Sequence, residues 1–225
     1  MTDLKQKEYD AAFEDGGEDN ISVPNEPHLA CVLLLDISDA MYKNPLMDIN
    51  PLKVVNNFKQ QIQEIREAVF ILESIQIDIA IIVFNNSCVQ VVQDFISLSD
   101  FQRTEIMLTV SGVSSDIAIN AGINFAIDKV KKRKRLYNSM GTPYFGSWIF
   151  MISDRATTDG LSARQRIIEE ENKKRLKFWA IEVLKLVELV SKTLEWICLE
   201  DDLAPNFDEF DLYLYKPEKS IPSDW

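Results

Sequence analysis

Several common chemistries depend on residues that this sequence barely contains. Its 225 residues include one histidine, seven glycines and three cysteines. The single histidine, His28, precedes the first strand-like segment, so a histidine-based catalytic triad is not expected. The loop Asp36–Tyr42 contains no glycine, which excludes a dinucleotide-binding G-x-G-x-x-G turn after the first strand, and no P-loop occurs anywhere. Cys31, Cys88 and Cys198 are scattered without C-x-x-C spacing. Each lies in an apolar run, the pattern of buried free thiols in a reducing compartment. Long apolar stretches are missing too. Cys31–Leu35 and Ile77–Phe84 are too short to span a bilayer. No basic flank followed by an apolar stretch opens the chain, so a signal peptide is not expected and a cytoplasmic location is. Cations are scarce: 24 Lys and Arg stand against 36 Asp and Glu, a net charge of -12. That balance disfavours nucleic acid and anionic membranes and favours a protein partner with a basic surface.

What is present is a large apolar fraction, 46%, arranged in alternating strand and helix patterns. Residues 1–27 form an acidic N-terminal extension, in which Tyr9 and Phe13 stand four apart. Residues 28–200 read as one α/β domain, and 201–225 as an acidic, aromatic C-terminal extension that packs on it. Within the domain, Cys31–Asp36 is a continuous apolar run ending on an acid, as in a strand buried on both faces. Val55, Phe58, Ile62, Ile65, Val69 and Leu72 make the apolar stripe of a long helix. Ile77–Phe84 is a second buried strand. Asn85-Asn86-Ser87 turns it into a hairpin partner over Cys88–Val92. Ser99-Asp100 predicts a short helix cap, and Ser114 or Ser115 caps a helix running to Val130. The basic run Lys131–Arg135 then reads as a helix end complementing the dipole. Trp148–Asp154 is a strand, Leu161–Lys174 a charged helix, Leu176–Val183 a strand, and Val187–Ile197 a further amphipathic segment. This alternation predicts a doubly wound, mostly parallel central sheet with one antiparallel edge strand and helices on both faces. Ligands of such sheets bind beyond the carboxyl ends of the strands, where the winding reverses.

Oxygen-bearing residues collect at those ends: Asp36, Ser38 and Asp39 after the first strand, Ser114, Ser115 and Asp116 before a helix, and Asp154 after a later strand. Carboxylates and hydroxyls at one edge suit a hard cation such as Mg2+; they also suit turns and caps. The pattern resembles the von Willebrand factor A (vWA) family. Asp36-Ile-Ser38-Asp-Ala40-Met41 stands where that family reads D-x-S-x-S-M, Gly112–Ile117 where it often reads G-G-T-D-I, and Trp148–Asp159 resembles WIFLISDGEPTD of the bacterial TerY/YegL-like tellurium-resistance branch. The resemblance implies a metal-ion-dependent adhesion site at Asp36, Ser38, Ser115 and Asp154. Two departures mark this site as degenerate. Ala40 replaces a serine ligand with a methyl group, and Arg155 puts a cation where the family has glycine. Asp39, Met41, Asp116 and Arg155 are the expected partner contacts.

A phosphatase of the haloacid-dehalogenase type needs a second Asp two residues after the first, and Ser38 stands there. The chain is therefore expected not to be an enzyme. Three binding roles remain open. One is a metal-independent interaction module in a bacterial stress-response or defence complex, with Asp36, Asp39, Asp154 and the acidic tail meeting basic side chains. Another is a Mg2+-dependent adaptor whose ion captures a partner carboxylate. The last is an acidic immunity or antagonist protein that neutralises a basic partner.

Overall fold

A computed structural model of the chain describes residues 26–38, 50–68, 70–109, 115–153 and 161–182. Its strands are β1 (His28–Asp36), β2 (Gln76–Phe84), β3 (Val89–Ser97), β4 (Ser147–Ser153) and β5 (Leu176–Glu182). They form one sheet in the order β3-β2-β1-β4-β5. β1 is parallel to β2 and β4, and β4 to β5; only β2 and β3 pair antiparallel. The reason is the length of the connections. Four residues, 85–88, separate β2 from β3, enough for a hairpin and far too few for the crossover that parallel strands require. The helices are α1 (Pro51–Ala68), α2 (Phe70–Glu73), α3 (Leu98–Arg103), α4 (Asp116–Ser139) and α5 (Arg164–Asn172). The doubly wound, mostly parallel arrangement with an antiparallel edge strand is thus the observed one.

β1 lies at the centre, and all nine of its residues are buried. Its alternate side chains feed two cores. Leu29, Cys31, Leu33 and Leu35 pack with Val54, Val55, Phe58, Ile62 and Ile65 of α1 and Phe101 of α3. Ala30, Val32 and Leu34 pack with Ile119, Ile123, Ala126, Ile127 and Val130 of α4 and Ile167 of α5. Complete burial of each Leu, Ile or Phe stabilises the fold by about 1.5–3 kcal/mol. On the α1 face, Phe150 stacks on Trp179 at 4.6 Å and meets Phe58 edge-on at 5.5 Å, tying β4, β5 and α1 together. On the other face, Gly122 lets α4 approach β2 closely. A Cβ there would lie 3.1 Å from the ring of Phe84.

The structure differs from the sequence reading in several places. β3 runs on to Ser97 instead of ending at Val92, and it is Ser97 whose side chain accepts from Asp100 N to cap α3. Ser115, not Ser114, caps α4, which continues to Ser139. The basic run Lys131–Arg135 therefore ends a full turn short of the helix terminus, and two of its five cations point inward: Arg133 and Lys134 are buried. α5 is shorter than the charged stretch that suggested it, Arg164–Asn172. Cys31 is buried, and burial pushes its thiol far above the usual range. Cys88 is exposed, because it sits at the hairpin turn, outside the packed part of the strand. No helix among the described residues is long and apolar enough to cross a membrane. Residues 1–25 and 183–225, which include Cys198, the Val187–Ile197 segment and the C-terminal extension, lie outside the described residues.

Candidate functional site

β1 is the strand from which the chain winds first toward β2 and later toward β4, so the crevice for a ligand opens at its carboxyl end. Asp36 ends the strand there. Its Oδ1 accepts from Ser38 N–H at 2.8 Å and its Oδ2 from the Ser153 hydroxyl at the end of β4, 3.0 Å away. Asp36, Ser38 and Ser153 are all fully buried. The backbone of Ile37 is held by an N–H donated to Phe84 O at 3.0 Å, which fixes the start of the loop against β2. The Ser38 hydroxyl is the exception to this satisfaction: Ser38 Oγ is buried and has no hydrogen-bond partner among the described residues. An orphaned buried hydroxyl costs about 1–3 kcal/mol, so among the described residues of this edge it is the polar atom that asks for a ligand.

Ser115 reaches the same edge by another route. As N-cap of α4 its Oγ accepts from Ala118 N at 3.3 Å, and its hydroxyl donates to Asn86 Oδ1 in the β2–β3 turn. The turn itself is built on Asn85, whose Oδ1 accepts from the N–H groups of Ser87 and Cys88 at 2.8 and 2.9 Å. Asp116 is exposed in the first turn of α4. Asp39, Ala40, Met41, Asp154 and Arg155 lie outside the described residues. The structure thus joins Asp36 and Ser38 directly and brings Ser115 to their edge through Asn86. Ser153 and Asn86 were not singled out in the sequence. Ser153 was legible in principle, as a hydroxyl just before the strand-ending Asp154. One expectation is corrected. Asp36 has 0% exposure, so it cannot meet a partner's Lys or Arg directly. Among the described residues, two large apolar side chains stand in water around the edge, Leu52 at the start of α1, 50% exposed, and Ile117 at the start of α4, 82% exposed.

A second polar cluster lies at the opposite, N-terminal edge. Asp78 of β2 is buried, and its Oδ2 accepts from His28 Nδ1 at 2.9 Å, Arg133 Nη2 at 3.1 Å and Tyr137 Oη at 2.5 Å. Arg133 Nε donates in turn to Tyr137 Oη at 3.2 Å. Burial alone would push the Asp78 carboxyl up, but the His28 hydrogen bond, the Arg133 charge and the Tyr137 hydrogen bond outweigh it and hold the group below its ordinary value. These four residues are closed off from solvent, so their arrangement serves the packing of α4 on β1 and β2. The signal in the sequence was Asp78 itself, an acid inside the otherwise apolar run Ile77–Phe84, which can only be buried if it is paired.

No protein-family model matches the sequence, and no curated protein does. Similar solved structures include proximal thread matrix protein 1 from the mussel byssus, 11% identical, covering 77% of this chain and 47% of that one with a TM-score of 0.46. The PilB minor pilin from Streptococcus sanguinis is 14% identical over 60% of this chain and 31% of that one, TM-score 0.39. The SpRpn10 VWA domain is 14% identical over 73% of this chain and 94% of that one, TM-score 0.40. The chain spans less than half the length of the first two. Likenesses this distant carry no argument about site, activity or partner; the architecture rests on the strand order and pairing described above.

Proposed function

We propose that this chain is a non-catalytic protein-interaction module of the vWA type whose contact surface is the C-terminal edge of its sheet. The observation that carries the reading is Ile117, which stands 82% exposed beside the exposed Asp116 at the mouth of that edge. Large apolar side chains held in water next to a ligand crevice are how protein-binding surfaces present anchors. Leu52, on the other side of the crevice, extends the same surface. Asp36, Ser38 and Ser153 are buried at the same edge, at the ends of β1 and β4. The D-x-S-x-A-M and Trp148–Asp159 resemblances support a role for the module in a bacterial stress-response or defence complex. Affinity capture with the full chain from its source cells tests this. Partners recovered by the parent and lost with Ile117→Glu support the reading; an unchanged set of partners overturns it.

A second reading, metal-dependent capture, is favoured by the orphaned Ser38 hydroxyl. A divalent ion would satisfy it, with the Asp36 carboxylate beside it as the charged oxygen donor. Among the described residues no three His, Cys, Asp or Glu side chains converge, and Ala40 contributes none. These groups fit an ion held by few protein oxygens and completed by water, as Mg2+ allows. Asp36, Ser38 and Ser115, with Asp154 by resemblance, would hold it, and the ion would supply an open coordination position for a partner carboxylate. Calorimetric titration of the full chain with Mg2+ and Mn2+ decides. Heat that disappears in Ser38→Ala supports this reading, and no heat at millimolar ion removes it. The charge-based antagonist reading belongs elsewhere on the chain. Residues 1–27 hold eight acids against two bases and residues 201–225 seven against two, so the two extensions carry -11 of the -12 and residues 28–200 only -1.

A further inference from the structure

The turn between β2 and β3 belongs to none of the segments that carry the vWA resemblance, yet it touches both halves of the candidate site. At its base, Phe84 O accepts the Ile37 N–H at 3.0 Å, between Asp36 and Ser38. At its tip, the Asn86 amide oxygen accepts the hydroxyl proton of Ser115. The turn is closely pinned. Asn85 is buried, and its N–H donates to Cys88 O at 3.0 Å. Its side-chain oxygen accepts from Ser87 N–H, Cys88 N–H and the Cys88 thiol at 2.8, 2.9 and 3.5 Å. Phe84 pairs with Val89 at the mouth of the turn. Asn86 is exposed, but its backbone is held on both sides, so its amide has a fixed place.

The hydroxyl that Asn86 holds has a definite orientation. A serine oxygen carries one proton and two lone pairs. At Ser115 the proton goes to Asn86, and one lone pair takes the Ala118 N–H at 3.3 Å in capping α4. The second lone pair is what Ser115 has to offer a cation. Donating its proton also makes the oxygen a better acceptor, because hydrogen bonds in a chain polarise one another. Without the amide the hydroxyl rotates about its C–O bond, and in some orientations the proton faces the ion. Ala40 contributes no oxygen, so the orientation of each remaining oxygen weighs more.

We propose that Asn86 is a positioning residue of the metal-dependent site. It holds the Ser115 hydroxyl with its proton turned away from the ion and a lone pair turned toward it. Asn86 acts through Ser115 and does not itself touch the ion. The proposal rests on the metal-dependent reading above and adds to it a residue outside the ligand set.

Mn2+ titration of the full chain, read from the electron paramagnetic resonance signal of the free ion, tests it. Asn86→Ala should weaken Mn2+ binding at least about tenfold, as loss of a partner that orients a metal ligand does. The denaturation midpoint of the metal-free chain should stay where it was. Asn86→Asp keeps an acceptor oxygen and should bind at least as tightly as the parent. Ser115→Ala should weaken binding by a similar factor. Adding Asn86→Ala to Ser115→Ala should then cost less than about twofold more, because residues that act through one contact are not additive. Parent-like affinity in Asn86→Ala, a full additional loss in the double variant, failure of Asn86→Asp to retain binding, or a lowered midpoint in metal-free Asn86→Ala would each overturn the proposal and spare the metal reading. No binding by the parent at millimolar Mn2+ removes the metal reading, and the proposal with it.

Discussion

Removing the Asp78 carboxylate is the sharpest test of how α4 is held to the sheet. Asp78→Ala takes away the acceptor of three hydrogen bonds and strands the Arg133 guanidinium, itself 6% exposed, without its counter-charge. Breaking a buried pair by deleting one member costs about 3–5 kcal/mol. For a chain of this size that lowers Tm by roughly 6–20 °C. Urea denaturation followed by tryptophan fluorescence reads the change directly, since Trp148 and Trp179 are both in the core. Replacing both partners with apolar side chains, Asp78→Leu with Arg133→Met, should recover much of the loss, because no charge is then left unpaired. The pH dependence has a definite sign. The folded-state pKa of Asp78 lies below its ordinary value, so the carboxylate's contribution is complete above about pH 4 and is lost as pH falls through the folded-state value. Asp78→Asn cannot lose it, so the gap between parent and variant should narrow in acid. A cost of less than about 1 kcal/mol for Asp78→Ala, the range of an exposed pair, would refute the reasoning.

Two further outcomes follow from the packing. Gly122→Ala places a methyl group 3.1 Å from the Phe84 ring; overpacking of about 1–3 kcal/mol exceeds the helix-propensity gain of about 1 kcal/mol, so the variant should be less stable and Phe84→Leu should rescue it, as equilibrium denaturation would show. Burial pushes Lys134 down to about 7, with Glu170 opposing and Arg175 and Lys131 reinforcing the shift. The folded state therefore binds fewer protons than the unfolded between about pH 7 and 10, and the stability of the parent relative to Lys134→Met should rise across that window; a difference that does not change with pH in denaturation series would contradict this.

How much of this was legible in the sequence depended on the distance over which each signal acts. Cys31–Asp36 and Ile77–Phe84 announced buried parallel strands because sheet covering on both faces demands apolar side chains at every position, a local rule. Asp36, Ser38 and Ser115 could be assigned to one edge because winding order places strand ends together whatever the loop details. The end of β3 was not legible: Val89–Ser97 mixes Gln90, Gln93 and Asp94 with apolar residues, as an edge strand can, and Asp94 is explained only by Lys129, 35 residues away. The Lys131–Arg135 run misled for the same reason. A helix end and an inward-facing set of cations look alike until Glu170, Asp78 and the Arg175 carbonyl are brought alongside.

The burial of β1 on both faces has a consequence for how the chain finds its alignment. In a half-exposed strand, sliding by one residue would throw apolar side chains into water, and that penalty sets the pairing. β1 offers no such penalty, since Leu29 through Leu35 are apolar on both sides and a shifted strand would bury nearly the same surface. Only its ends distinguish one alignment from the next. His28 must find Asp78 at one end, and Asp36 must find the Ser153 hydroxyl at the other. The two polar termini act as the marks of a ruler, so Asp36, read first as a ligand-site residue, also measures where the strand stops.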